Sequence, residues 1–241
     1  MKILKTKNYD EMSLEAAKIF RDELKKNSNS VFGLATGSTP IGLYKNLIDW
    51  CKKGELDFSK VKTVNLDEYV GLPATHDQSY RYFMNDNLFD HINIDKNNTN
   101  VPNGMASDME AECKRYDDLI EKVGPIDIQL LGLGQNGHIG FNEPGDAFSY
   151  GTNVVTLTEN TREANKRFFK SIDEVPKKAI TMGLYNILSA KKVVMVANGK
   201  AKADAVYAMV KGPISPKCPA SVLRYHRDFV LVVDEEAGSK I

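Results

Sequence analysis

The chain has 241 residues, 42% of them hydrophobic, enough for one large core or two small domains at most. Its 32 Lys and Arg residues balance 32 Asp and Glu residues, so the basic surplus of a nucleic-acid binder is missing. No run approaches the roughly 20 apolar residues of a membrane span, the basic first seven residues lack the apolar stretch of a secretory signal, and Cys51, Cys113 and Cys218 form no C-x-x-C pair, which together fit a cytoplasmic protein with reduced thiols.

In chain order, residues 9–27 place Ala16, Ile19, Phe20 and Leu24 at helical spacing. The apolar run Val31-Phe32-Gly33-Leu34 predicts a strand, followed by a turn and a helix over 41–52. A second strand is expected over 61–66, helices over 80–88 and 106–123, and further strands over 126–131, 154–157, 192–197 and 229–233. A helix over 200–210 separates the last two. No repeat, low-complexity tract or linker interrupts the pattern, so residues 1–241 read as a single α/β domain, with a lid expected around 145–185, where strand signals are few. Strands alternating with helices imply a mostly parallel sheet covered on both faces, with ligands at the strands' C-terminal edge.

That edge is where the chemistry concentrates. After the first predicted strand, Thr36-Gly37-Ser38-Thr39-Pro40 leads into a helix. Its hydroxyls and exposed amides suit an anion such as phosphate, and equally an ordinary helix cap. It lacks the Gly-Lys-Ser/Thr ending of a nucleotide phosphate loop. After the next strand comes Asp67, placed either as a general base or as a surface acid. The segment from Leu131 to Pro144 contains G-x-G-x-x-G, with Glu159 downstream at the distance of a ribose-binding acid. The dinucleotide reading fails because Gly140, Pro144, Gly145 and Gly151 leave no room for the helix it requires. The segment reads instead as an irregular loop carrying one imidazole, His138, and one carboxylate, Glu143. A histidine exchanges protons near neutral pH, and a nearby Glu can fix its tautomer. Lys200, expected in the first turn of its helix, opposes the helix dipole unless an anion sits there, and Arg167 could grip a phosphate with two bonds. No metal is expected, since His76, His91, His138 and His226 are scattered and no H-E-x-x-H occurs, and no G-x-S-x-G elbow suggests a serine hydrolase.

The segments 65–72, Gln78-Ser79-Tyr80 and 132–144, in that order with Arg167, Lys200 and Val233-Asp234-Glu235, resemble those of the glucosamine-6-phosphate deaminase family over essentially the whole chain. The phrase Gly137-His138-Ile139-Gly140-Phe141-Asn142-Glu143-Pro144 is the most specific part. The resemblance implies a three-layer α/β/α sandwich and conversion of glucosamine 6-phosphate and water into fructose 6-phosphate and ammonia, without a metal or an organic cofactor. It implies that Asp67 moves the proton between C2 and C1, and that His138 opens the sugar ring with Glu143 and Asn136 in support. Thr36, Gly37, Ser38, Thr39, Arg167 and Lys200 would hold the phosphate. Many members carry Asp where Asn136 stands, so a carboxylate is not required there. Asn153-Val154-Val155 replaces the Arg-x-Lys pair of activated members, and the C-terminus is shorter, so no activation by N-acetylglucosamine 6-phosphate is expected. The expected partner is the small substrate alone, with neither nucleic acid nor membrane, for a monomer or a homo-oligomer. The rival readings are a 6-phosphogluconolactonase, which would leave Asp67 without a proton to move, and a sugar-phosphate sensor, which would need a DNA-binding segment.

Overall fold

The computed structural model describes residues 1–166 and 169–241, with the side chains at 160, 164 and 165 outside that description. In chain order the elements are β1 (Lys2–Thr6), α1 (Tyr9–Lys26), β2 (Val31–Leu34), α2 (Ile41–Lys52), β3 (Lys62–Asn65), β4 (Asp67–Tyr69), α3 (Tyr80–Met84), β5 (Thr99–Asn100), α4 (Met109–Val123) and β6 (Ile128–Gly132). β7 (Asn153–Thr156), α5 (Glu159–Asn165), β8 (Lys178–Thr181), α6 (Leu184–Leu188), β9 (Lys192–Ala197), α7 (Ala203–Lys211) and β10 (Phe229–Asp234) complete it. Seven strands form one parallel sheet in the order β1-β10-β9-β6-β2-β3-β5. The chain is therefore the expected α/β fold, a largely parallel sheet flanked by helices.

Residue chemistry explains the frame. β9 and β10 read Lys-Val-Val-Met-Val-Ala and Phe-Val-Leu-Val-Val-Asp, and nearly every one of these side chains is buried, as in a parallel sheet covered on both faces. The Asn8 side chain accepts the Glu11 N–H at 2.9 Å to start α1, and Asp10, Glu11, Lys25 and Lys26 complement its dipole. Met12, Ala16, Phe20 and Leu24 form its buried stripe. Phe20 meets Phe32 of β2 edge to face at 5.1 Å, and each such fully buried ring contributes about 1.5–3 kcal/mol.

Three strands depart from the sequence reading. β1 was hidden in the basic N-terminal run, and it pairs with β10 from Lys2↔Val230 to Thr6↔Asp234. The predicted strand over 154–157 exists as β7 but lies outside the parallel sheet. It belongs to a separate antiparallel sheet, β4-β8-β7, in which Asp67 faces Thr181 and Asn153 faces the same residue from the other side. β8 has no counterpart in the sequence reading and falls inside the segment read as a lid. Asp67 follows the strand over 61–66, as expected, and at the same time opens β4. The helix read over 200–210 is a short 3₁₀ turn, Lys200–Lys202, followed by α7.

β2 sits between β3 and β6, and the chain's crossovers run in opposite directions on the two sides of that junction. The loops leaving β2 and β6 diverge there and open a crevice, the usual ligand site of such sheets.

Candidate active site

A cleft of about 450 Å³ fills this crevice, within the range of small-molecule sites, about 300–1,000 Å³. Thr36 to Pro40 form one wall, the residues from Gly132 to Asn136 with His138 another, and Asp67, Tyr80, Thr161 and Lys202 complete the lining. The turn 36–40 is enforced by Gly37, whose φ of 92° a side chain would oppose.

Asp67 is 5% exposed, and among the described residues no donor hydrogen-bonds its carboxylate. Burial, and the adjacent charge of Glu68, push its carboxyl well above the ordinary range. Glu68 is buried too, and burial raises its carboxyl, but it accepts N–H groups from Tyr69 at 2.8 Å, Tyr80 at 2.8 Å and Arg81 at 2.9 Å. Those amides oppose the shift, so Glu68 is the better-solvated anion of the two. They also fix the start of α3, where Tyr80 stacks on Phe141 with ring centroids 5.9 Å apart and planes within 5°. A carboxylate without donors beside one with three is a strong base beside a structural anion.

His138 stands on the loop after β6. Its ring lies against the backbone of Gly134, where a Cβ would come within 2.5 Å of three ring carbons. Only glycine permits that approach. Nδ1 is 3.5 Å from Glu143 Oε2, at ion-pair distance, leaving Nε2 as the ring's other nitrogen for proton exchange. Asn136 donates to Glu143 Oε2 at 2.7 Å and accepts the His138 N–H at 3.2 Å, so its amide orients both partners without ionising. The Thr161 hydroxyl donates to the other Glu143 oxygen. Burial works to raise the Glu143 carboxyl; the His138 imidazole, then Thr161 and Asn136, outweigh it and hold the carboxyl below its ordinary value. The arrangement places a carboxylate favoured in its ionised form beside the His138 ring.

The structure thus brings together Thr36, Gly37, Ser38, Thr39, Asp67, Asn136 and His138 around one cleft, with Glu143 directly behind His138. Lys200 is not in that company. It is exposed, and its backbone N–H donates to Glu236 at 3.2 Å. Lys202, two residues on, lines the cleft. The 3₁₀ turn has three residues per turn, so positions two apart face different directions, and the helix proper begins later than the sequence pattern suggested. The dipole argument that singled out Lys200 applied equally to Lys202. Arg167 lies outside the described residues. Thr161 and Tyr80 were missed as site residues, although the Thr158 side chain caps α5 by accepting the Thr161 N–H at 3.2 Å, a pattern visible as Thr-x-x-Thr. Among the described residues no group of three His, Cys, Asp or Glu side chains could hold a metal ion, and no helix is long and apolar enough to cross a membrane.

Residues 5–232 match the family model of glucosamine-6-phosphate isomerases/6-phosphogluconolactonase. A glucosamine-6-phosphate deaminase of Clostridium perfringens (strain SM101 / Type A) is 61% identical over 99% of this chain and 98% of its own. One from Thermoanaerobacter sp. (strain X514) is 56% identical over 100% of this chain and 95% of its own. Among solved structures, a monomeric glucosamine-6-phosphate deaminase superposes with a TM-score of 0.98 at 49% identity, covering all of both chains. A 6-phosphogluconolactonase from Thermotoga maritima shares the fold, with a TM-score of 0.76 at 19% identity over 97% of this chain and 99% of its own.

Proposed function

Because this chain belongs to the glucosamine-6-phosphate deaminase family, we propose that its cleft converts glucosamine 6-phosphate and water into fructose 6-phosphate and ammonia by the following division of labour. A closed aminosugar has no acidic C2 hydrogen, so the ring must open first. His138 takes the proton of the C1 hydroxyl and returns one to the ring oxygen as the C1–O5 bond breaks, giving the open-chain aldehyde. Glu143 stabilises the imidazolium formed between these transfers, and Asn136 keeps the two in register.

Asp67 then removes the C2 proton and delivers it to C1. The electron pair from the C2–H bond passes through an enolamine whose O1 has taken up a proton; as C1 is protonated and the nitrogen gives up a proton, C1 becomes an alcohol and C2 an imine. Water adds to that imine and ammonia leaves, which gives the ketone. Each acid–base role is of the kind that contributes about 10²–10⁴-fold. The turn 36–39 and Lys202 line the end of the cleft suited to the phosphate, which fixes the sugar without taking part electronically. Every group named comes from one chain, so the site works in a monomer, like that of the monomeric deaminase it superposes on.

The observation that carries this reading is the pairing of two separate acid–base centres across one cleft, His138 with Glu143 and Asp67 alone. Lactone hydrolysis has no C2 proton to move and gives Asp67 no task. The test is to incubate purified protein with glucosamine 6-phosphate and EDTA while following ammonia and fructose 6-phosphate together. Equal release of both is expected. No release, with and without chelator, would refute the proposal and make 6-phosphogluconolactone the next substrate to try.

A further inference from the structure

The turn that lines the phosphate end of the cleft closes on itself through one long bond, from the Ile41 N–H to the Ser38 carbonyl at 3.4 Å, and draws further support from outside. α2 begins at Pro40 with no side chain of its own capping it, although the first N–H groups of a helix lack partners within it. The missing group comes from another helix. The half-buried Tyr9, the first residue of α1, accepts the Gly42 N–H on its hydroxyl at 2.8 Å and donates that hydroxyl to the Ser38 carbonyl at 3.2 Å. A phenol can do both at once.

The second bond has a directional consequence. Ser38 C=O and Thr39 N–H belong to one planar trans peptide and point in opposite directions. Holding the carbonyl on Tyr9, on the α1 side, aims the Thr39 N–H away from α1. It also keeps a carbonyl dipole from swinging toward an anion. The approach of the two helices is close enough to require Gly42, where a Cβ would lie 2.3 Å from the Ser13 Oγ and 3.0 Å from the Tyr9 ring. Ser13 is itself buried with its hydroxyl unpartnered, so the contact leaves no slack.

We propose that Tyr9 is a positioning residue for substrate binding, a latch that sets the peptide of the 36–40 turn for the substrate's phosphate. The proposal rests on the reading of that turn as the phosphate end of the site. It makes affinity for a sugar phosphate depend on a residue of α1 that does not line the cleft.

The test compares wild type with Tyr9→Phe, using glucosamine 6-phosphate as substrate and inorganic phosphate as competing ligand. Phenylalanine removes both bonds of the hydroxyl, and loss of the one to the Ser38 carbonyl should raise KM and the phosphate inhibition constant together by about three- to tenfold, with kcat within about twofold. A fall in kcat at constant KM would overturn the proposal, since it would mark a general structural role. Gly42→Ala keeps the hydroxyl but drives a methyl against Ser13 and the edge of the Tyr9 ring, prising α2 from α1, and should raise KM in the same way; an unchanged KM there would also overturn it. If inorganic phosphate competes with substrate in wild type but equally well in Tyr9→Phe, the latch alone is wrong. If it does not compete in wild type, the reading of the turn fails and takes the latch with it.

Discussion

Replacing Asp67 by Asn should produce a protein that is more stable and almost inert. The carboxylate is 5% exposed, has no hydrogen-bond donor among the described residues, and sits beside the buried charge of Glu68. An amide of the same shape removes the charge while keeping the packing. Burial and the neighbouring charge of Glu68 both disfavour the ionised form, so relief of the charge should be worth about 1–2 kcal/mol. For a chain of this size that corresponds to a rise in Tm of about 2–8 °C. The sign depends on pH in a checkable way. The folded pKa of Asp67 lies above its unfolded value, so wild type is at its most stable, with respect to this group, below the unfolded pKa. That stability is lost as pH rises through the folded pKa. The advantage of Asp67→Asn should therefore be full above the raised pKa and fade as pH falls through it. Calorimetry at several pH values measures the gain, and steady-state turnover should fall about 10²–10⁴-fold. A Tm for Asp67→Asn that stays below wild type as pH is raised, or turnover within tenfold of wild type, would refute the picture of a destabilised base.

Four further substitutions probe the rest of the site. Gly134→Ala would place a methyl 2.5 Å from the His138 ring; displacing the imidazole should cut kcat about 10–100-fold with KM nearly unchanged, read from initial rates. Thr161→Val removes one of the bonds holding the Glu143 carboxyl low, so its pKa should rise and the acidic limb of the pH–rate profile should move to higher pH; a limb that stays put would dissociate Glu143 from the rate. Lys202→Met should raise KM for the sugar phosphate about tenfold or more, whereas Lys200→Met should leave it within about twofold, and the reverse result would restore the sequence reading over the structural one.

How much of this was readable beforehand follows from which forces act locally. The parallel core announced itself because β2, β9 and β10 are buried on both faces and read as near-continuous apolar runs, whereas β6 is as buried but carries Gln129 within it. The loop after β6 was legible because its glycines and Pro144 exclude a helix, which isolates His138 and Glu143. What stayed hidden depended on distant partners. β1 is a short edge strand of mixed Lys and apolar residues, and only β10, more than 200 positions away, makes it a strand. β8 reads Lys-Ala-Ile-Thr, too short for a period, and owes its conformation to β4 and β7. The helix expected from Lys200 begins at Ala203, a three-residue shift that composition does not encode and that puts Lys202 rather than Lys200 on the cleft.

The small antiparallel sheet ties the two halves of the chemistry to one gauge. Asp67 opens β4. Thr181 of β8, directly across from it, accepts the Phe141 N–H at 3.1 Å and so steadies the loop that carries His138 and Glu143. β7 leads through Thr158 into α5, whose Thr161 grips Glu143 from behind. The spacing between His138 and Asp67, to which the proposed mechanism gives ring opening and proton transfer at C2, is thus set by three short strands, and a shift of β8 would disturb both. For anyone reshaping this enzyme, tolerance to insertion in the 145–178 region should be judged by whether the β4-β8-β7 register survives, because specificity can be retuned in the cleft walls while that interval cannot.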